Sequence, residues 1–508
     1  MTRPKETSIA LDVLVRSLEQ EDAVRRIRVT GSQGQVSVVR ITDDSRDVTA
    51  DTLFVAIPGE RADGHEFIEE AVERGAIAIV CERFPPVETR DSGVVWIQVD
   101  RSRRALSILA HVFYGQVAER LELIGITGTN GKTTTAYLTY HVLQELGIRP
   151  GLIGTLGVFV SDERRDLKVT TPGPLDVQVL WKEMEEAGCE VCVMELSSHA
   201  LDQHRVDPRY FEVGVFTNLS HDHLDYHGDF DAYLRAKKRL FNELSEDAAA
   251  VYNADDPRGT DIIAHTRAKR FSYGLETSSD LRADLLENSL TGLQFRLGDY
   301  TIDSQLTGRF NVYNLLAAAG ASRAVSSGTW GEIACALAGA PPVPGRLERI
   351  RFDDDTVVFV DYAHTPDALE NVLETLRTAK SEASSLWCVF GCGGDRDRQK
   401  RPMMGRIAER LADFVVVTSD NPRTENPDTI IDEIIGGLED PDAVVRERDR
   451  KRAIDYVART AASGDVVLLA GKGHERYQVL KGETVAFDDR EEVKRSFSTH
   501  RRTLISSG

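Results

Sequence analysis

The sequence predicts an α/β protein of three domains built on mainly parallel sheets. Three observations carry that expectation. The chain has 508 residues, and at roughly 150 residues per domain this makes about three cores. Short apolar runs alternate with stretches of helical periodicity, the pattern of strand–helix–strand units. A Gly- and Pro-rich stretch, Ala340-Pro341-Pro342-Val343-Pro344-Gly345, separates two of the blocks. Hydrophobic residues make up 41% and charged residues 28%, ordinary for a folded globular chain, so disorder of the whole chain is excluded.

The first block, 1–100, carries strand-like runs at 36–41, 53–57, 77–80 and 94–99. The segment 101–114 reads as a helix leading into the second block, 101–344. That block opens on an apolar strand at 121–127, then a Gly-rich turn, then a helix with Leu138, Val142 and Leu146 on one face and Gly147 past its end. Runs at 191–196, 213–217 and 249–253 continue the alternation. The third block, 345–508, has strands at 356–360, 387–390, 414–418 and 466–470, and Pro366 sits near the first turn of a helix. It reads as a second doubly wound, Rossmann-like unit, whose ligands lie beyond the carboxyl ends of its strands. Segments 101–118 and 341–345 are candidate hinges. The basic stretch 494–502 reads as a solvated terminus.

The 62 Lys and Arg against 82 Asp and Glu leave a formal net charge of −20. This argues against nonspecific nucleic-acid or acidic-membrane binding, both of which are driven by cationic surface. An anionic ligand must then be met by local Arg or Lys, backbone N–H groups or metal. No apolar run approaches the ~20 residues of a membrane span. The start of the chain lacks the apolar core and cleavage site of a signal peptide. Six cysteines are no disulfide framework at this length, and the expected compartment is the cytoplasm. Cys189 and Cys192 form a CxxC without a second Cys/His pair, and are expected to be inert, buried thiols.

Gly128-Thr129-Asn130-Gly131-Lys132-Thr133-Thr134 joins the 121–127 strand to the next helix. Glycines let backbone N–H groups close on phosphate oxygens, and the helix N-terminus adds positive partial charge. Lys132 is expected on the β- and γ-phosphates of a nucleotide and the Thr133 hydroxyl on Mg²⁺. The usual motif has a Gly where this chain has Ile126. Glu195 ends one apolar run, and Asn218, His221, Asp222, His223, Asp225 and His227 follow another. A carboxylate and an imidazole there suit a second Mg²⁺. The His/Asp cluster also suits zinc, but the accompanying phosphate loop favours Mg²⁺.

With these residues assembled, the chain resembles the Mur ligase family, the ATP-dependent amino-acid ligases of peptidoglycan synthesis. The likeness covers nearly the whole chain. It rests on the variant phosphate loop, on Asn218 and His223, and on Tyr233-Leu234-Arg235-Ala236-Lys237. It rests also on Gly308-Arg309-Phe310-Asn311-Val312-Tyr313-Asn314, on Gly345-Arg346 and on Asp361-Tyr362-Ala363-His364-Thr365-Pro366. The resemblance implies that Lys237 is carbamylated and helps to position Mg²⁺, with Lys132 and His223 as further catalytic residues. It implies that Asn311, Asn314, Arg346 and Asp361 surround ATP. It implies a UDP-binding first domain, with Ser45, Glu60, Arg61 and Ala62 on the uridine diphosphate, and Thr170, Thr171, Ser197, Gln203 and Arg205 holding the muramoyl-dipeptide.

The resemblance also addresses the amino acid. Asp420-Asn421-Pro422-Arg423 follows a strand end, and in the family this sequence marks ligases that add meso-diaminopimelate to UDP-N-acetylmuramoyl-L-alanyl-D-glutamate. Arg423 offers a planar fork for the distal carboxylate, which lysine lacks. Arg396, Gly471 and Glu475 close the same pocket. The implied enzyme works through an acyl phosphate, as a monomer, on ATP, the nucleotide-sugar dipeptide and diaminopimelate. Alternatives within the family are addition of lysine, D-alanyl-D-alanine or folate glutamates. Arg423 speaks against lysine, and the first block against folate. A catalytically dead nucleotide-binding scaffold is the alternative outside it, and intact Lys132, Thr133, Glu195, His223 and Lys237 speak against that.

Overall fold

The computed structural model describes residues 8–29, 36–59, 62–84, 93–161, 163–220, 222–500 and 502–505. Glu60, Arg61 and His221 lie outside them. Three sheets make three α/β domains, each strand series parallel at its centre.

The first sheet has five strands in the order Val24–Val29, Val95–Val99, Ala76–Cys81, Thr52–Val55, Arg40–Thr42. All neighbours are parallel except the first pair. Helices Leu11–Gln20 and Ser102–Phe113 cover one face with Leu14, Leu18, Leu106 and Leu109. The run expected at 36–41 is not one strand. Ser37–Val38 pairs with Ile9–Ala10, while Arg40–Thr42 joins the five-stranded sheet. The break falls at Val39, whose side chain is exposed and whose N–H donates to Asp51 O at 3.0 Å.

The central sheet has eleven strands. Its parallel core runs Pro150–Gly154, Val191–Glu195, Glu122–Thr127, Val213–Phe216, Ala249–Asn253, Lys269–Gly274. Helices Lys132–Glu145 and Arg309–Val325 bury Leu138, Val142, Leu315 and Leu316 on one face. Helices Pro174–Glu186 and Phe230–Glu243 bury Trp181, Met184, Leu240 and Phe241 on the other. Cys189 and Cys192 are both buried here, and burial raises both thiols, so neither ionises readily.

The third sheet has seven strands, with Val445–Arg446, Phe414–Val417, Leu386–Phe390, Val466–Ala470 and Val357–Asp361 parallel. The basic stretch at 494–502 is not a solvated terminus. Helix Asp489–Thr499 buries Val493 and Phe497, and Phe497 stacks on Phe352 with ring centres 4.7 Å apart. The basic side chains occupy its outer face, and Arg502 pairs with Asp354 at 3.0 Å. A polar composition hid the two apolar residues, spaced i and i+4, that fix the helix to the sheet.

In both larger sheets the loops at the carboxyl ends of the parallel strands carry the polar side chains. The two sets of loops meet, because Arg346 and Asp367 of the third block both touch residues of the phosphate loop.

Candidate active site between two α/β domains

Glu122–Thr127 lies between Val191–Glu195 and Val213–Phe216, so the loops after all three strands emerge side by side. The phosphate loop closes tightly. Gly131 has φ 82° and a Cβ there would collide with the Asn314 side chain; Gly128 has φ 153° and a Cβ would collide with the Thr217 hydroxyl. Asn218 fixes the loop by accepting from Asn130 N at 2.9 Å and donating to Asn130 O at 3.1 Å. The helix beginning at Lys132 has no side-chain cap, which leaves its first N–H groups for a ligand.

Lys132 Nζ donates to the loop's own carbonyls, Gly128 O at 2.9 Å and Thr129 O at 2.7 Å. Lys237 is 1% exposed and donates to the same Gly128 O at 2.7 Å. Burial lowers both ammonium groups, and Lys132 lowers Lys237 further. Thr129 and Tyr233 hydroxyls meet at 3.0 Å, and the Tyr233 ring lies 4.6 Å from Lys237 Nζ.

Thr133 Oγ1 donates to Glu195 Oε2 at 2.9 Å. Glu195 also accepts from Thr155 N at 2.7 Å, and its backbone carbonyl accepts from Thr171 Oγ1 at 2.8 Å. The Thr155 hydroxyl meets Thr170 at 3.1 Å. The Ser197 hydroxyl caps the turn Ser198–Asp202, and Ser197 N donates to Thr171 Oγ1 at 3.1 Å. Arg205 donates to Thr171 O at 2.6 Å and to Gln203, whose amide donates to the Tyr226 hydroxyl at 3.1 Å. His223, at φ 53°, has Nε2 3.5 Å from Asp222. Desolvation by its surroundings lowers the imidazole against the pull of Asp222, although the side chain is still 45% exposed.

The third block supplies the other wall. Arg346 Nη2 donates to Thr133 Oγ1 at 3.1 Å and its guanidinium lies 4.6 Å from the Tyr362 ring. Asp361 accepts from Leu347 N and Ala363 N, both at 2.7 Å, while burial raises its carboxyl. Asp367 accepts from Asn130 Nδ2 at 2.7 Å and Ser220 Oγ at 2.9 Å. Asn311 and Asn314 are buried and bonded to one another at 2.9 Å. The whole phosphate loop, Glu195, Ser197, His223, Lys237, Asn314, Arg346, Asp361 and His364 line one cavity of about 530 Å³, whereas Asn311, expected beside the nucleotide, is buried behind Asn314 and not part of that lining.

A second group lies at the strand ends of the third sheet. Arg423, at φ 53°, donates from Nη1 to Gly394 O at 2.6 Å, and its N–H donates to Val479 O at 3.1 Å. A Cβ on Gly393 would lie 2.9 Å from that Nη1 and 3.7 Å from Arg396 Cγ, so the two arginines flank one glycine. Asn421 Nδ2 donates to Glu475 Oε2 at 2.8 Å. Pro422 packs on Gly394, and Gly471 N donates to Asp361 O at 3.0 Å.

The remaining residues lie toward the first sheet. Ser45 is buried and its hydroxyl donates to Glu70 at 2.9 Å. Ala62 O accepts from Gly59 N at 3.1 Å. Between this loop and the central domain lies a basin of about 1310 Å³ lined by Gly59, Arg101, Arg103, Gln203, Arg235 and Arg239, among others.

Family models match the chain in three consecutive segments: "Mur ligase family, catalytic domain" at residues 37–114, "Mur ligase middle domain" at 126–322 and "Mur ligase, glutamate ligase domain" at 345–473. A UDP-N-acetylmuramoyl-L-alanyl-D-glutamate--2,6-diaminopimelate ligase of Geobacillus thermodenitrificans is 46% identical over 468 residues, which is 90% of this chain and 94% of that one. The chain belongs to the Mur ligase family. A ligase of the same name from Parabacteroides distasonis is 43% identical over 91% of this Mur ligase and 95% of its own length. A solved structure of a ligase so named superposes with a TM-score of 0.68 at 33% identity, covering 98% of this chain and all (100%) of that one.

In this Mur ligase two side chains of the cavity were not singled out from the sequence, Thr155 and Asp367, while Asp222, Tyr362 and His364 lay in marked motifs without a role of their own. Thr155 follows a strand in a polar turn and gives no sequence signal. Asp367 could have been found from its place in the first turn of helix Pro366–Ala379, just behind a motif already marked.

Proposed function

We propose that this Mur ligase uses ATP to join meso-diaminopimelate to the D-glutamate carboxylate of UDP-N-acetylmuramoyl-L-alanyl-D-glutamate. The observation that carries the reading is the shared cavity. It unites a phosphate loop, the half-buried Lys132, the buried Lys237 and Glu195 with Arg346, Asp361 and His364 of the domain that bears Arg423 and Glu475. Helix Ser102–Phe113 packs on the first sheet, so we move the division expected at 100 to the end of that helix and place the domains at 1–114, 115–344 and 345–508, with a single copy sufficing for every residue invoked and the cytoplasm as its location because ATP is there.

A free carboxylate is a poor acyl donor. Transfer of the γ-phosphoryl group to it creates an acyl phosphate, with ADP leaving. The loop N–H groups, the start of helix Lys132–Glu145 and Lys132 itself receive the phosphate charge, Lys132 exchanging its carbonyl partners for phosphate oxygens. Arg346 reaches the same place through Thr133. An all-oxygen pair, Thr133 and Glu195 at 2.9 Å, fits Mg²⁺, which takes few protein ligands beside phosphates and water. When bound, Mg²⁺ neutralises charge on the transferring phosphoryl group. Lys237, buried and shifted toward the neutral amine, is suited to add to CO₂, forming a carbamate and releasing a proton. The carbamate, with His223, would then turn an ammonium into an anionic metal-facing group.

The acceptor's diphosphate is assigned to the cationic basin of Arg101, Arg103, Arg235 and Arg239, with Thr170, Thr171, Ser197, Gln203 and Arg205 leading its peptide toward Glu195. The unprotonated amine of diaminopimelate attacks the acyl carbon, and the tetrahedral intermediate collapses to amide and phosphate. Arg423 and Arg396 answer carboxylates of the incoming amino acid, and Glu475 its ammonium.

Phosphate release from ATP, measured with the nucleotide-sugar dipeptide and each candidate amino acid, tests the reading. Release with diaminopimelate and little with lysine is expected. Equal release with lysine overturns the Arg423 assignment, and no release with any amino acid overturns the ligase reading.

A further inference from the structure

Lys472 lies in the Gly471-Lys472-Gly473-His474-Glu475 turn, and its side chain is fully buried (0% exposed). Its Nζ donates to Glu475 Oε2 at 3.0 Å and to Asn421 Oδ1 at 3.2 Å, and lies 3.6 Å from Asp420 Oδ1. It therefore joins the turn after Val466–Ala470 to the loop after Phe414–Val417. Asn421 completes the ring, donating to the same Glu475 Oε2 at 2.8 Å and accepting from Val479 N at 3.0 Å.

Burying a lysine among carboxylates is a poor way to stabilise a fold, since an apolar side chain of similar volume serves as well or better. The cation must therefore be judged by what it arranges. Both donors on Glu475 land on Oε2, and no donor among the described residues reaches Oε1. Asp420 Oδ1 is buried and lacks a hydrogen-bond partner among the described residues, Lys472 being just beyond hydrogen-bond range. An unpaired buried carboxylate oxygen is costly until a donor arrives. In formal charge, Lys472 offsets one of the two carboxylates and leaves a surplus of one negative charge, enough for one ammonium.

We infer that Lys472 is the positioning residue of the amino-acid pocket, holding Glu475, Asn421 and Asp420 so that one ammonium of the incoming amino acid finds the unbonded Glu475 Oε1, with the buried Asp420 charge behind it. This rests on the amino-acid pocket of the proposed function. Lys472 acts through Glu475 and Asp420, not by touching the reacting atoms.

The test compares steady-state kinetics of the full-length enzyme with those of Lys472→Gln, Glu475→Gln and the double variant. Losing a charge-assisted bond in a buried site should raise the KM for diaminopimelate at least about tenfold in Lys472→Gln. The KM values for ATP and for the nucleotide-sugar dipeptide should stay within about twofold, and kcat within about threefold. The double variant should be no worse than Glu475→Gln alone, because both substitutions break one unit. A parallel rise in all three KM values, an unchanged KM for diaminopimelate, or effects of the two substitutions that multiply would each overturn the inference. If Lys472→Gln does not fold, Lys472→Arg, which keeps the charge in a larger group, carries the same comparison of the three KM values with the same outcomes. An unsubstituted enzyme that turns over ATP with another amino acid but not diaminopimelate would sink the substrate reading instead, and the Lys472 comparison would then be read on that amino acid.

Discussion

Arg423 holds its guanidinium by one nitrogen, donating to Gly394 O at 2.6 Å, and its backbone is pinned to Val479. The rest of the fork remains for a ligand, and a planar bidentate grip is what a lysine cannot reproduce. Arg423→Lys should therefore raise the KM for diaminopimelate by about tenfold or more and leave the KM for ATP nearly unchanged. Equal losses for both substrates in steady-state assays would place Arg423 outside the amino-acid pocket. Lys237 is a different kind of residue. Its amine is buried, shifted well below the ordinary lysine range by burial and by Lys132, and bonded to a single carbonyl, Gly128 O. Lys237→Ala should depress turnover by about a hundredfold or more if the carbamate orients the metal. Short carboxylic acids in solution should restore part of the rate by entering the vacated space. Unchanged turnover of Lys237→Ala would sink the carbamate proposal.

Gly131 opens the helix Lys132–Glu145 at φ 82°, where an L side chain is strained, and a Cβ there would also run into Asn314. Gly131→Ala must therefore move either the phosphate loop or helix Arg309–Val325. ATP affinity, read by titration calorimetry, should fall by about tenfold or more, and Tm should fall with it, because an L residue held at positive φ costs about 1–2 kcal/mol. Unchanged affinity would show that the loop does not need its tight turn. This element was legible in advance because an apolar strand, a Gly-rich turn and an amphipathic helix leave separate marks in sequence. The strand ends at Glu195, Thr217 and Asp361 were legible for the same reason. Other elements were not. Leu281–Ser289, Gly292–Leu297 and Tyr300–Ser304 extend the central sheet by an antiparallel meander, but its exposed face breaks the apolar runs into alternation too polar to stand out. Val24–Val29 has three arginines among six residues. The bond from Ser45 to Glu70 depends on a helix packing that no local pattern encodes, and it leaves the hydroxyl oxygen able to accept from a ligand. Lys472 carries no signal at all in sequence, since a lysine in a Gly-rich turn ordinarily points to solvent.

Across the whole molecule, neutral histidines gather at the seams between domains. His204 lines the basin between the first and central domains, and burial pushes it down to about 3, with Arg239, Arg101 and Arg104 adding to the effect. His364 lines the nucleotide cavity and is pushed down to about 4 by burial and Lys400. His474, with its ring 5.3 Å from Tyr362, is pushed down to about 3 by burial, then Arg346 and Arg164. In the unfolded chain each returns to about 6.5. Between that value and the folded one, the unfolded state binds the protons and the folded state does not, so stability falls as pH falls. Carboxylates held low by partners, such as Glu425 at about 2 beside Arg401, lose their contribution only below about pH 5, where unfolded carboxylates begin to protonate. Asp361, raised by burial, acts in the opposite sense, so that its contribution grows as pH falls. In the interval from about pH 6.5 to 5 the histidines pull stability down as pH falls, opposed by carboxyls that burial raises, such as Asp361, Glu212 and Asp256. The Tm should decline steadily across it in buffers of matched ionic strength, and His474→Gln, which cannot take a proton, should flatten the decline. A Tm that stays level from pH 6.5 to 5 would mean that these imidazoles find proton acceptors in the folded protein, and that the seams open to admit them before the domains unfold.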